Sequence, residues 1–244
     1  MDNKKTIKIM AKLFGISGKA TGKKGDTVFA VRNGEQLIRQ YNPIVSNPNT
    51  ADQIDARAKL KLGSQMSAIL GEVIAMPREG TKSPRNIWLK ENYNLISAQD
   101  GVASMDMEKI KLTKSVVACA DLNVNRNGST DITVRCTESM LGQVDKMVYV
   151  GVQVGADQKI RVYDTAVVDV DSNNVNGSAT ISYTGSAVVV LGYGISMKSG
   201  KARAAFNDIE GDEATHIASL IATRTLGVAD LGYTETKGMY LSAL

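Results

Sequence analysis

The chain has 244 residues, 43% hydrophobic and 22% charged, the balance of an ordinary globular protein long enough to bury a substantial core. One His and two Cys leave almost no ligands for a nitrogen- or sulfur-based metal site, and no run of about 18 apolar residues exists to cross a membrane. Net charge is only +4, but residues 1–90 hold 16 Lys/Arg against 7 Asp/Glu, while residues 91–244 hold 13 against 18. A basic front on an acidic rear suits head-to-tail contact between copies, or an arm lying on nucleic acid.

Residues 1–25 contain seven Lys, four Gly and one acid, which predicts a basic arm that is flexible or ordered by a partner. Charges interrupt each of its apolar stretches, so it makes a poor signal peptide, and the chain is expected to stay in the cytosol where it is made. Two short strands, Thr27–Val31 and Glu35–Tyr41, are predicted around Arg32-Asn33-Gly34, because Asn-Gly supplies the positive φ angles of a tight hairpin turn. Asn42-Pro43 and Asn47-Pro48 then predict an extended, rather stiff linker.

Thr50-Ala51-Asp52-Gln53 reads as a capping box opening a helix over Thr50–Ile74. Ile54, Ala58, Leu62, Met66, Ile69, Leu70 and Val73 form its apolar stripe, with Arg57, Lys59 and Lys61 off it. Gly63 either weakens this helix or lets another backbone approach closely. Ser83-Pro84 starts a second helix near Pro84–Ser97, carrying Trp88, Tyr93 and Ile96. Together the two predict a helical hairpin covering one end or one face of a sheet.

From Met107 the grammar changes. Ile110–Leu112, Ser115–Val124, Thr130–Cys136, Met147–Val154, Ile160–Val170, Ala179–Tyr183 and Ala187–Met197 are rich in Val, Ile and Thr and separated by Asn/Gly/Asp/Ser turns. That rhythm predicts an antiparallel β-sandwich, with a barrel as the alternative. Within Thr130–Cys136, Ile132, Val134 and Cys136 alternate with Asp131, Thr133 and Arg135. Cys119 and Cys136 fall in predicted strands and are expected as reduced, buried thiols rather than a disulfide. Gly211–Leu226 reads as a helix, followed by a last strand and an apolar C-terminus.

Catalytic groups are scarce. His216 is the sole imidazole and sits in the predicted C-terminal helix; there is no G-x-S-x-G turn, and Gly18–Gly25 lacks phosphate-loop spacing. Asp164, Asp169 and Asp171, and the cluster Asp208, Glu210, Asp212 and Glu213, are better read as solvated turns and helix starts than as a calcium loop. The expectation is a chain with no enzymatic role, cofactor, metal or small-molecule substrate.

One series of residues is distinctive: Gly22, Lys23, Gly25, Val28, Phe29, Arg32, Asn33, Gly34, then Arg39, Tyr41, Pro43, then Asn47, Pro48, Thr50, Gln53, then Arg57, Lys59, Leu60. In these residues the chain resembles a group of proteins from Bacteroidetes and their tailed phages, including crAss-like phages, in which the same arm and helix precede an immunoglobulin-like β region. The resemblance is good over about residues 20–97 and looser over 115–200. It implies a virion structural component of head, neck, collar or tail, present in the host cytoplasm during assembly and then in the particle.

The expected architecture is therefore α+β, mainly β: a basic extended arm with a β-hairpin (1–48), a helical hairpin (49–98), an Ig-like antiparallel β-sandwich (107–203) and a C-terminal helix and strand (204–244). The residues expected to make assembly contacts are Lys19, Lys23, Lys24, Phe29, Arg32, Arg39, Tyr41, Ile54, Arg57, Lys59, Lys61 and Met66. Expected partners are copies of the chain and other virion proteins, with non-specific contact to packaged DNA and none to a membrane. The strand Glu35–Tyr41 is expected to add to a partner's sheet edge. Two other readings are a nucleic-acid-associated protein using the basic front, and an adhesion or carbohydrate-binding module.

Overall fold

A computed structural model describes residues 11–12, 21–32, 34–41, 49–71, 73–77, 79–154, 160–182, 187–207 and 230–242. Lys19, Asn33, the Asn42–Pro48 linker, the helix expected at Gly211–Leu226 with its His216, and the acids from Asp208 to Glu213 lie outside the described residues. The chain divides into two compact units, residues 1–50 and 51–244.

The first unit is a four-stranded antiparallel sheet built from β1 (Ala11–Lys12), β2 (Gly22–Lys24), β3 (Thr27–Arg32) and β4 (Glu35–Gln40), in the order β1-β4-β3-β2. The expected hairpin is present as β3–β4, with Gly34 at φ +83°. A second tight turn joins Lys24 to Thr27 through Gly25 and Asp26, with Gly25 at φ +59°. Glycine in the first central position is what such a two-residue turn requires. Two expectations are corrected here. The described part of the arm is not free of structure, since β1 and β2 pair with β4 and β3 of their own chain. Nor is Glu35–Gln40 an edge: β4 is flanked on both sides, because β1 returns from far along the sequence to pair with it.

The second unit is mainly β and layered. Its centre is a five-stranded antiparallel sheet of β9 (Lys146–Val154), β10 (Ile160–Asp169), β12 (Val188–Met197), β13 (Leu231–Tyr233) and β14 (Lys237–Leu241). The order is β10-β9-β12, with β13 and β14 successively along the far side of β12. One face carries Met147, Tyr149, Val188 and Val190, and packs on a three-stranded sheet of β7 (Leu122–Asn127), β8 (Asp131–Cys136) and β11 (Ala179–Ser182). The partners there are Leu122, Val124, Ile132, Val134 and Ile181, at the alternate positions expected of half-buried strands. The opposite face carries Val148, Val150, Val189, Leu191, Tyr193 and Ile195, and packs on α1 (Ala51–Ile69) and α2 (Pro84–Asn92) through Met66, Leu70, Ile87 and Trp88. With cover on both faces, β12 reads as an unbroken apolar run rather than an alternating one. No helix among the described residues is long and apolar enough to cross a membrane.

Several local expectations change. Helix α2 stops at Asn92, because that buried side chain donates to the Trp88 and Lys111 carbonyls and accepts from the Lys111 N–H. Beyond it Ile96–Gln99 is a strand, β5, paired with β6 (Val102–Met105) in a hairpin that turns at Asp100 and Gly101, φ +52° and +79°. Ile110–Leu112 is not a strand, since the Leu112 N–H is taken by the Thr236 hydroxyl. Strand β7 starts only at Leu122, because Ser115–Asp121 runs alongside the interruption between β13 and β14, with Glu235 N–H donating to the Val117 carbonyl. That interruption is a bulge: three residues, Thr234–Thr236, stand opposite two of β12. From the C-terminal stretch expected as a helix and strand, β13 and β14 thus complete the central sheet. Ahead of them, Gly200–Asn207 forms α3.

The outer edge of β14 is covered. The Glu108 carboxylate accepts the Tyr240 N–H at 2.8 Å, and the Glu108 backbone lies where a side chain on Gly238 would sit. Gly238→Ala is expected to cost about 1–3 kcal/mol by overpacking against that backbone, read as a lower urea midpoint at unchanged m-value. A midpoint equal to wild type would show that residues 107–109 move aside freely. Gly63 is likewise closely approached, by the side chains of Leu89 and Ile96 rather than by another backbone.

Candidate assembly surface

Cross-strand pairing sorts the side chains of the first unit onto two faces, since directly opposed residues share a face. Lys23, Val28 and Arg39 form one row, and Arg32 and Glu35 another on the same side. Tyr41 joins this face beyond the end of β4, with the Lys23 ammonium 3.4 Å from its ring centroid. At such a distance a cation and an aromatic ring attract. The result is a basic face whose Lys23, Arg32 and Arg39 are exposed, with a half-open tyrosine. The other face carries Phe29, Ile38 and Val31, bordered by Lys24 and Gln40. Gln36 is buried there and donates to the Ala30 carbonyl at 3.2 Å. Among the described residues of this unit no second layer is stacked on either face.

In the second unit α1 is only partly occupied by its own core. Met66 is fully buried against the central sheet, so it has no surface to give a partner, contrary to its expected place in an assembly contact. Ile54, at the other end of the stripe, is 40% exposed and touches the β5–β6 turn near Gly101, whose N–H donates to Asp55 at 2.7 Å. Arg57, Lys61 and the half-exposed Leu60 share the outward side of the helix, at three- and four-residue spacing. Lys59 turns the other way, its ammonium 6.0 Å from the Tyr93 ring centroid.

A cleft of about 460 Å³ lies beside the strand interruption, lined by Glu108, Lys109, Lys111, Glu235, Thr236 and Lys237. Its cations are largely neutralised by neighbours: Lys109 bonds Asp106 at 2.7 Å, and Lys237 bonds Asp121 at 3.1 Å and Glu235 at 3.2 Å. Hydrogen bonds to those two carboxylates raise the Lys237 pKa above its ordinary value and hold it as a structural cation. Elsewhere Lys146, almost wholly buried, reaches out to the exposed Asp169 at 2.7 Å. Among the described residues no group of three or more His, Cys, Asp or Glu side chains converges as a metal site would require.

Cys119 and Cys136 are free and buried, as expected, but Cys119 lies in the segment before β7 rather than in a strand. The structure puts both in the core between the two sheets. No protein-family model matches the chain, and no curated protein matches it in sequence.

Proposed function

We propose that the chain is a non-enzymatic structural protein that assembles with copies of itself through its N-terminal sheet, and that the assembly is a phage virion component of head, neck, collar or tail. One observation carries the assembly reading: a four-stranded sheet with Phe29, Val31 and Ile38 on one side and Lys23, Arg32, Arg39 and Tyr41 on the other, with no second layer of its own unit among the described residues. A lone sheet buries too little apolar surface to stand alone and is stabilised by packing on another element. The acidic balance of residues 91–244 offers a neighbouring copy as the complementary surface. The virion assignment rests on the resemblance over residues 20–97. An Ig-like core is supported by the connectivity, in which β7-β8-β11 and β10-β9-β12-β14 follow the order of strands A, B, E and C′, C, F, G.

Mass photometry of the full chain tests the assembly. Wild type is expected as multiples of 26.1 kDa, and the variant Phe29→Asp with Arg39→Glu as single chains. Far-UV circular dichroism of the variant must stay that of wild type. A wild-type protein that is strictly monomeric at micromolar concentration overturns the proposal. The basic face with Tyr41 favours one second reading, non-specific contact with nucleic acid, which predicts oligonucleotide binding that falls steeply as salt rises. Absence of binding at low salt eliminates it.

A further inference from the structure

We propose that Asn127, at the β7–β8 turn, is a site of spontaneous covalent modification. The Gly128 backbone nitrogen displaces its side-chain amide, and water then leaves aspartate or isoaspartate in its place. The site is independent of the assembly reading. Asn-Gly occurs three times in the chain, at Asn33, Asn127 and Asn176. Glycine puts no Cβ in the path of the attacking nitrogen, so this dipeptide closes the required ring readily. Asn33 lies outside the described residues, and the structure separates the other two.

Asn127 is the last residue of β7 and pairs with Asp131, on the face opposite the inward Ile132 and Val134. Residues 127–130 are all exposed. Gly128 sits at φ +79°, and no atom lies within 4 Å of the place a Cβ would take, so the loop has open space around it. Its N–H has no hydrogen-bond partner among the described residues. The Asn127 amide donates to the Thr133 hydroxyl on the same outward face. Asn176-Gly177 has the same chemistry in a closed setting. The Asn176 amide donates to the Cys136 carbonyl at 2.9 Å, and the Asn176 backbone carbonyl accepts the Cys136 N–H at 3.0 Å. The Gly177 N–H, which would have to attack, is buried and donates to the Asn174 carbonyl at 3.1 Å. One nitrogen is free to move onto its neighbour's side chain, and the other is held away from it.

The reaction needs only water. The Gly128 nitrogen gives up its proton to solvent base and attacks the Asn127 side-chain carbon. The bond from that carbon to the amide nitrogen breaks, and ammonia leaves with a proton returned by solvent. Water then opens the five-membered succinimide at either carbonyl, with no change of oxidation state. Opening at one carbonyl gives aspartate; opening at the other gives isoaspartate, in which the main chain runs through the former side-chain carbon. Each product lowers the net charge by one from +4 and sets a new carboxylate directly opposite Asp131. Like charges so placed repel. The isoaspartate form also adds an atom to the backbone where β7 meets its turn, which upsets pairing at the hairpin tip.

The test incubates the full folded chain in heavy-oxygen water at neutral and mildly alkaline pH, then digests it in ordinary water. The heavy label marks only what formed during incubation. Trypsin isolates Asn127 in peptide 127–135, apart from Asn33 and Asn176. That peptide is expected to gain labelled aspartate and isoaspartate, faster at the higher pH because the attacking amide must lose its proton. Asn176 should react at least about tenfold more slowly, since its hydrogen bonds must open first. In urea the two sites should react at similar rates. Asn127→Gln, whose longer side chain would have to close a larger ring, should leave peptide 127–135 unlabelled. The proposal is overturned if Asn127 keeps its amide in the folded chain while losing it in urea. It is equally overturned if folded Asn176 reacts as fast as Asn127.

Discussion

Truncating Trp88 to alanine lowers the unfolding free energy of the second unit by about 3–5 kcal/mol, the cost of removing a large aromatic from a packed core. Trp88 is wholly buried where α2 meets the central sheet, among Met66, Leu70, Leu191 and Tyr193. Its indole N–H is also buried and finds no acceptor among the described residues, so the native side chain carries the desolvation cost of an unmade hydrogen bond. Trp88→Phe removes that burden while keeping an aromatic ring in place, and should cost only about 1–2 kcal/mol. Urea denaturation followed by far-UV circular dichroism reads both variants on one scale. An alanine variant within about 1 kcal/mol of wild type would mean that the helical layer contributes little to the fold.

The second large effect is alkaline. Burial raises the phenol pKa of Tyr149, Tyr193 and Tyr233 above the ordinary 10.0. Two of the three hydroxyls also donate to backbone: Tyr149 to Gly177 at 2.7 Å and Tyr193 to Val73 at 3.2 Å. Above pH 10 the unfolded chain loses these protons while the folded chain keeps them, so the unfolded state binds fewer protons and stability falls as pH rises. Each phenol contributes about 1.4 kcal/mol per pH unit, and the three together about 4. A domain of ordinary stability, about 5–15 kcal/mol, is therefore expected to unfold cooperatively within a few pH units above 10. Tyr193→Phe should reduce the slope by about a third. Ultraviolet detection of tyrosinate alongside circular dichroism decides the matter. The buried phenols should ionise only as secondary structure is lost, and complete titration of a still-folded chain would contradict the assignment.

What could be read from sequence was governed by local rules. Asn33-Gly34 marked the β3–β4 hairpin, alternation marked Ile132, Val134 and Cys136 as inward, and Ser83-Pro84 marked the start of α2, where the Ser83 hydroxyl accepts the Asn86 N–H. The β5–β6 hairpin was equally legible, because Asp100-Gly101 is a strong turn dipeptide, but the apolar spacing of Tyr93 and Ile96 suggested continued helix. Other features were set by partners distant in the chain. Pairing of β1 with β4 makes the latter an interior strand, and Asn92 ends α2 through bonds to Lys111. Among the expected assembly residues, the helical period put Ile54 and Met66 on one stripe. Only the position of the central sheet separates the half-exposed member from the buried one.

The carboxylate of Glu108, seated on the outermost strand, has a consequence for any setting in which the chain is crowded. Bare sheet margins recruit foreign strands, and a protein held at high local concentration is exposed to runaway stacking of one molecule on the next. Along β14 the Tyr240 amide is already occupied, and the Glu108 backbone lies against Gly238. At those two positions the flank offers an incoming strand no free site.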